Sequence, residues 1–178
     1  MDLNRMTQRA QLAIQAGREL AVRFGHQQVD LEHLLLALLT QEEGLAPQLL
    51  KRCEVSVPEL QARVEQELAG RPHVSGDTEM GKIYVTPALN ELLLRAADHA
   101  RRLKDEYLSV EHLLLAMTDH ATAGTPAGKL LSSAGLDARR LLEALKEVRG
   151  NQRVTSDNPE GQYEALKKYG TDLVEMAR

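Results

Sequence analysis

Glu32-His33-Leu34-Leu35-Leu36-Ala37 recurs letter for letter as Glu111-His112-Leu113-Leu114-Leu115-Ala116, 79 positions later. The two Glu-His pairs are either halves of one chemical site or one fold instruction issued twice, and the flanking residues decide. At the same offset Thr7 falls on Thr86, Ala21 on Ala100 and Arg23 on Arg102. After a two-residue insertion within 121–126 the offset becomes 81, aligning Ala46 with Ala127, Leu49-Leu50 with Leu130-Leu131, and Leu60 with Leu141. The chain is internally duplicated. Only two copies of so long a unit point to similar subdomains packed together, not to a solenoid.

Each copy reads as four helices. Thr7, and Thr86 followed by Pro87, supply the hydroxyl cap and first-turn proline that open a helix. Asp30 and Ser109 cap the second helices, whose Leu31, Leu34, Leu35, Leu38 and Val110, Leu113, Leu114, Met117 keep the i, i+3, i+4, i+7 spacing of one buried face. Short third helices are predicted over Pro47–Cys53 and Ala127–Ser133. Ser56 with Glu59 has the form of a capping box before the fourth helix, and Asp137 takes the matching place ahead of Leu141, Leu142 and Leu145. The predicted fold class is all-α, eight helices in two pseudo-symmetric four-helix repeats. Repeat one covers 1–69, a connecting loop 70–85, and repeat two 86–149. Residues 150–178 begin as a polar linker and continue into an apolar stripe of Tyr163, Leu166, Leu173 and Met176, too small for a core of its own and expected to lead into another domain.

Composition narrows the function classes. The chain has 178 residues, 43% hydrophobic and 27% charged, with no apolar run near the roughly 20 residues of a membrane helix. Its amino terminus lacks the continuous apolar core of a secretory signal, and its single cysteine, Cys53, excludes an intramolecular disulfide framework, so a cytoplasmic location is expected. A net charge of -4 and the absence of a large basic patch argue against nucleic acid as a partner. With one Phe, four Tyr and no Trp, the core is predicted to be aliphatic.

No catalytic motif emerges. A zinc protease helix needs two histidines one turn apart, and neither Glu-His pair has the second one. Glu at the second helical position instead complements the helix dipole, and His near the cap reaches local backbone. The stretch from Gly124 to Leu130 superficially resembles a phosphate-binding loop, but it is one residue short between glycines, and Leu130 stands where the magnesium-binding hydroxyl belongs. It reads as the insertion loop and a helix start. Cys53 aligns with Ala134, which suits a small buried side chain.

A Thr-initiated helix, a capped helix containing E-H-L-L-L-A, a Leu-Leu third helix and duplication of the whole unit together resemble the Clp amino-terminal repeat domain over residues 1–149. The segment RGNQRVTSDNPEGQYEALKKYGTDLVEMA is similar to the one joining that domain to the first ATPase domain of ClpB disaggregases. The resemblance implies a substrate-recognition module, not an enzyme, belonging to a longer protein. That domain would bind unfolded or aggregated polypeptide in a shallow apolar groove and pass it to a ring. The parent would be a homohexameric ATPase using ATP and magnesium, with co-chaperone partners, while this piece alone would be a monomer with no cofactor or metal. By position the substrate contacts implied are Thr7, Thr86, Leu93, Asp105 and Glu111; His112 departs from members with an apolar residue beside that Glu. An alternative follows ClpC-type domains, which dock adaptors or read arginine phosphate, and would make Glu32 and Glu111 the contacts.

Overall fold

The computed structural model describes residues 5–73, 82–150, 152–155 and 157. The middle of the connecting loop and the tail stripe of Tyr163, Leu166, Leu173 and Met176 lie outside the described residues. Among those residues eight α-helices run in chain order: α1 Gln8–Arg23, α2 Leu31–Thr40, α3 Leu45–Arg52, α4 Val57–Ala69, α5 Pro87–Arg102, α6 Val110–Met117, α7 Pro126–Ser133 and α8 Ala138–Arg149. The caps read from sequence are in place. Thr7, Ser56, Thr86 and Asp137 accept the amide hydrogens of Ala10, Glu59, Leu89 and Arg140. Helices α2 and α6 are buried along their whole E-H-L-L-L-A length, which makes them the two central rods of the aliphatic core.

The backbone repeats more closely than the residues do. Gly25 and Lys104, equivalent at the first offset, both have positive φ, at 72° and 60°. Glu54 and Gly135, equivalent at the second, do so at 61° and 88°. Left-handed backbone favours glycine, so keeping it under Lys104 and Glu54 shows that the turn is set by the packing of the helices on either side.

Two features were not legible in the sequence. Gln28–Val29 (β1) pairs in parallel with Tyr84–Val85 (β2), and Met6 forms an isolated parallel bridge with Leu108. Val29 and Leu108 are equivalent positions, as are Met6 and Val85, so these are one contact made twice. Two-residue pairings carry no hydrophobic period from which to read them. The second feature is exchange: α3 packs on α6 and α8 of the other copy, and α7 returns the contact on α2 and α4. Cys53, at the end of α3, is buried and its thiol donates to the Arg140 carbonyl of α8 at 3.5 Å. Burial pushes that thiol up, so it stays a packing group.

Gly128 also finds its reason here. A Cβ at that position would lie 2.0 Å from the Thr122 carbonyl oxygen, where the 3₁₀ turn His120–Thr122 closes over the start of α7. The glycine serves close approach between backbones.

Candidate functional site

His33 and His112 are fully buried and complete the caps of their helices. Nδ1 of each accepts a cap amide hydrogen, from Asp30 at 2.9 Å and from Ser109 at 2.8 Å. The residue seven positions earlier then meets Nε2. In repeat one it is Nδ1 of His26 at 2.8 Å, and in repeat two Oδ2 of Asp105 at 2.7 Å.

The glutamates beside those histidines are also buried, and each meets an arginine: Arg71 just beyond α4 and Arg149 at the last position of α8. Glu32 pairs with Arg71, and its second oxygen accepts the amide hydrogen of Ala127 at 2.9 Å, so it caps α7 of the other repeat. Burial pushes the Glu32 carboxyl up against the pull of Arg71. Arg71 also approaches Asp30 at 3.5 Å. In repeat two Arg149 pairs with Asp105 and lies 4.0 Å from Glu111. Asp105 accepts as well from the Val154 amide at 2.9 Å. Burial works to raise the Asp105 carboxyl, but His112, Arg149 and Val154 together hold it below the usual range.

The residues singled out from sequence therefore divide between two ends of the molecule. Thr7 donates its amide hydrogen to the Leu108 carbonyl at 2.9 Å, next to the Asp105 and Glu111 cluster. Thr86 caps α5 and donates its hydroxyl to Asp30 at 2.9 Å, beside Glu32 and Arg71 at the opposite end. Thr7, Thr86, Asp105 and Glu111 are all buried, and Leu93 is half-buried on α5. Sequence reasoning missed Arg71, Arg149 and His26. The arginines are out of register, since at the second offset Arg71 falls on Gln152 and Arg149 on Leu68. His26 left one signal, its equivalence with Asp105.

Each end carries a cleft. At the repeat-two end, about 260 Å³ is lined by Arg5, Met6, Ala97, Ala100, Arg101, Asp105, Glu106 and Leu108, and its walls are mostly apolar. At the repeat-one end, about 390 Å³ is bounded by polar groups including His26, Gln27, Asp30, Arg71, His73 and Tyr84. These are equivalent places: Arg5, Asp105 and Glu106 correspond to Tyr84, His26 and Gln27. Among the described residues no group of three or more His, Cys, Asp or Glu side chains could hold a metal ion, and no helix is long and apolar enough to cross a membrane.

The model of the Clp repeat (R) N-terminal domain matches residues 5–134. The chain belongs to that family. A chaperone protein ClpB of Nitratidesulfovibrio vulgaris is 47% identical over the whole of the chain, which spans about a fifth, 21%, of that relative's length. The Hsp104 N-terminal domain from Candida albicans superposes with a TM-score of 0.71 at 24% identity, covering 87% of this chain and 98% of that one. A ClpV N-domain, solved in complex with a VipB peptide, reaches 0.60 at 21% identity over 80% of this chain and 86% of that one. The last two likenesses are of fold. The family match and the curated relative together place the chain as a Clp N-terminal domain similar to that of ClpB chaperones.

Proposed function

We propose that this domain captures unfolded or aggregated polypeptide for a ClpB-type disaggregase and passes it to a hexameric ATPase ring in the cytoplasm. Residues 1–149 are the capturing unit and 150–178 lead toward the ring, where ATP and magnesium would be used. The observation that supports this reading best is the apolar cleft between the Arg5–Thr7 segment and α5, floored by Met6, Ala97, Ala100 and Leu108. Leu93 lies one turn before Ala97 on α5 and is half-buried, the Thr7 amide bonds the Leu108 carbonyl of the cleft floor, and Asp105 lines the cleft. The peptide bound by the ClpV N-domain is a precedent for a polypeptide ligand on this fold.

A cleft of this size takes one or two aliphatic side chains. Burying each contributes about 1.5–3 kcal/mol before association entropy is subtracted, so a single domain binds at millimolar strength at best. Tethering several domains to one ring raises effective concentration, and weak capture then becomes selective for aggregates that present many apolar segments.

The arginine-phosphate alternative draws less support. Glu32 already holds Arg71 and the Ala127 amide, and Glu111 lies buried beside Arg149, so an incoming guanidinium would have to displace resident partners. Titrating the chain with an unfolded polypeptide should move the amide signals of Met6, Ala97 and Leu108, and Ala97→Glu should weaken that response at least tenfold. Stronger shifts with arginine phosphate, centred on Glu32 and Glu111, would overturn the assignment.

A further inference from the structure

Hydrogen bonding fixes the proton positions in the two histidine caps. A ring nitrogen that accepts an amide hydrogen carries no proton, so His33 and His112, accepting at Nδ1, hold their protons on Nε2 when neutral. His112 donates that proton to a carboxylate, Asp105. His33 donates to Nδ1 of His26, which places the proton of His26 on its own Nε2.

The repeat-one relay therefore works only while both rings are neutral. A second proton on His33 goes to Nδ1 and faces the Asp30 amide hydrogen. A second proton on His26 goes to Nδ1 and faces the Nε2 hydrogen of His33. Either event sets one N–H against another, and the His33 contribution to the cap of α2 is lost. Repeat two is built otherwise. Asp105 accepts from Nε2 whatever the charge on His112, and the Ser109 hydroxyl, 3.2 Å from Nδ1, offers an acceptor for a proton placed there. Opening that end also separates Asp105 from Arg149 and from the Val154 amide, so it starts from a much rarer event.

The surroundings of the histidine pair favour neutrality at ordinary pH. Arg71 and His73, from the segment after α4, oppose a second charge; Asp30 favours one on His33; Glu32 is held by Arg71; Tyr84 on β2 lines the same cleft. Phe24 stacks on His26 with ring centroids 5.6 Å apart, closing the apolar side. Burial first, then the neighbouring His26 and Arg71, hold His33 at about 4, and burial with Arg71 keeps His26 below its ordinary value.

We propose that the His26–His33 pair is an acid-sensitive latch: a second proton on either ring uncaps α2 and loosens the β1–β2 clip between the repeats, while the Asp105–His112 end stays closed. The clip is tied to the latch directly. Asp30, whose amide donates to His33, also accepts the Thr86 hydroxyl, and the Val29 carbonyl before it accepts the Thr86 amide at 3.2 Å. Acid thus opens the polar cleft and leaves the apolar one intact.

Ring nitrogen shifts and amide exchange in the 178-residue chain test this. Both rings of the pair should show the Nε2–H form near pH 7.5. Exchange at the Asp30 amide, corrected for its intrinsic pH dependence, should rise roughly tenfold to thirtyfold relative to Ser109 on going to about pH 5. His26→Asp, which gives repeat one the side chain of repeat two, should remove most of that difference. An Nδ1–H form at His33, an equal acid response at Asp30 and Ser109, or an unchanged response in His26→Asp would overturn the latch. If His26→Asp does not fold, the ring and amide measurements on the unaltered chain decide alone.

Discussion

At the repeat-two end a carboxylate, Asp105, occupies the place that an imidazole, His26, occupies at the repeat-one end, and both face a capping histidine seven residues on. One contact geometry thus supports two electrostatic solutions. Repeat two concentrates charge, with Asp105, Arg149 and Glu111 buried together, whereas repeat one faces two neutral rings and keeps its arginine, Arg71, near the surface. Duplication preserved the backbone positions and let the charges diverge. The clefts diverged with them, almost wholly apolar at one end and of mixed polar and apolar surface at the other.

The comparison is broken most directly by deleting the divergent residue at each end. Asp105→Ala takes from Arg149 its nearer carboxylate and from His112 and the Val154 amide their acceptor, and removing one partner of a buried ion pair costs about 3–5 kcal/mol. His26→Ala strands only a neutral donor on His33, at about 1–3 kcal/mol. Urea unfolding of the two variants should show that order, and equal losses would mean that the charge cluster contributes nothing beyond packing.

Acid should separate the ends next. A histidine held at about 4 in the folded chain and near 6.5 when unfolded gives stability that is fully present above 6.5 and is lost as pH falls toward 4. The slope in that window reaches about 1.4 kcal/mol per pH unit for each such group. His112, also held low by burial, acts with the same sign, but the Asp105 carboxylate still accepts from its charged ring, so repeat two gives the smaller share of the loss. Asp105 acts lower still, because a carboxyl held below its ordinary 3.8 keeps its contribution until pH falls under that value. Unfolding midpoints measured from pH 7 to 3 should therefore fall in two stages, and His26→Asp should flatten the upper one. A single stage below pH 4 would assign the acid response to carboxylates alone.

The smallest effect tests the shared frame. Gly17 on α1 is equivalent to Ala96 on α5, and a Cβ at Gly17 would sit 3.5 Å from the Leu34 backbone, an ordinary contact. Gly17→Ala should stabilise the chain by about 0.5–1 kcal/mol through the helix preference of alanine, read as a raised thermal midpoint. Destabilisation would show that α1 lies closer to α2 than α5 does to α6.

How much of this was legible follows from the range of each interaction. Caps, apolar stripes and the duplication act over a few residues or a fixed offset, so Thr7, Asp30, Ser56 and Asp137 announced their helices. Glu111 and Asp105 were singled out by family resemblance, but their arginine was not, because Arg149 reaches them from 38 and 44 positions away without a counterpart in register. Burial was the other blind spot: Glu32 and Glu111 look like exposed first-turn acids, and only the exchanged packing of α7 over α2 and α3 over α6 encloses them. An apolar groove was implied by the family resemblance, but its lining was not legible, since Met6 and Leu108 meet through a single bridge.

That exchange of α3 and α7 makes the contact between repeats isologous, each copy giving the other what it receives. In effect the molecule is a two-fold dimer written on one chain. Neither half contains a complete core, so the repeat boundary is a boundary of sequence and not of cohesion. A protease that nicks the connecting segment would cut the chain and leave the domain assembled.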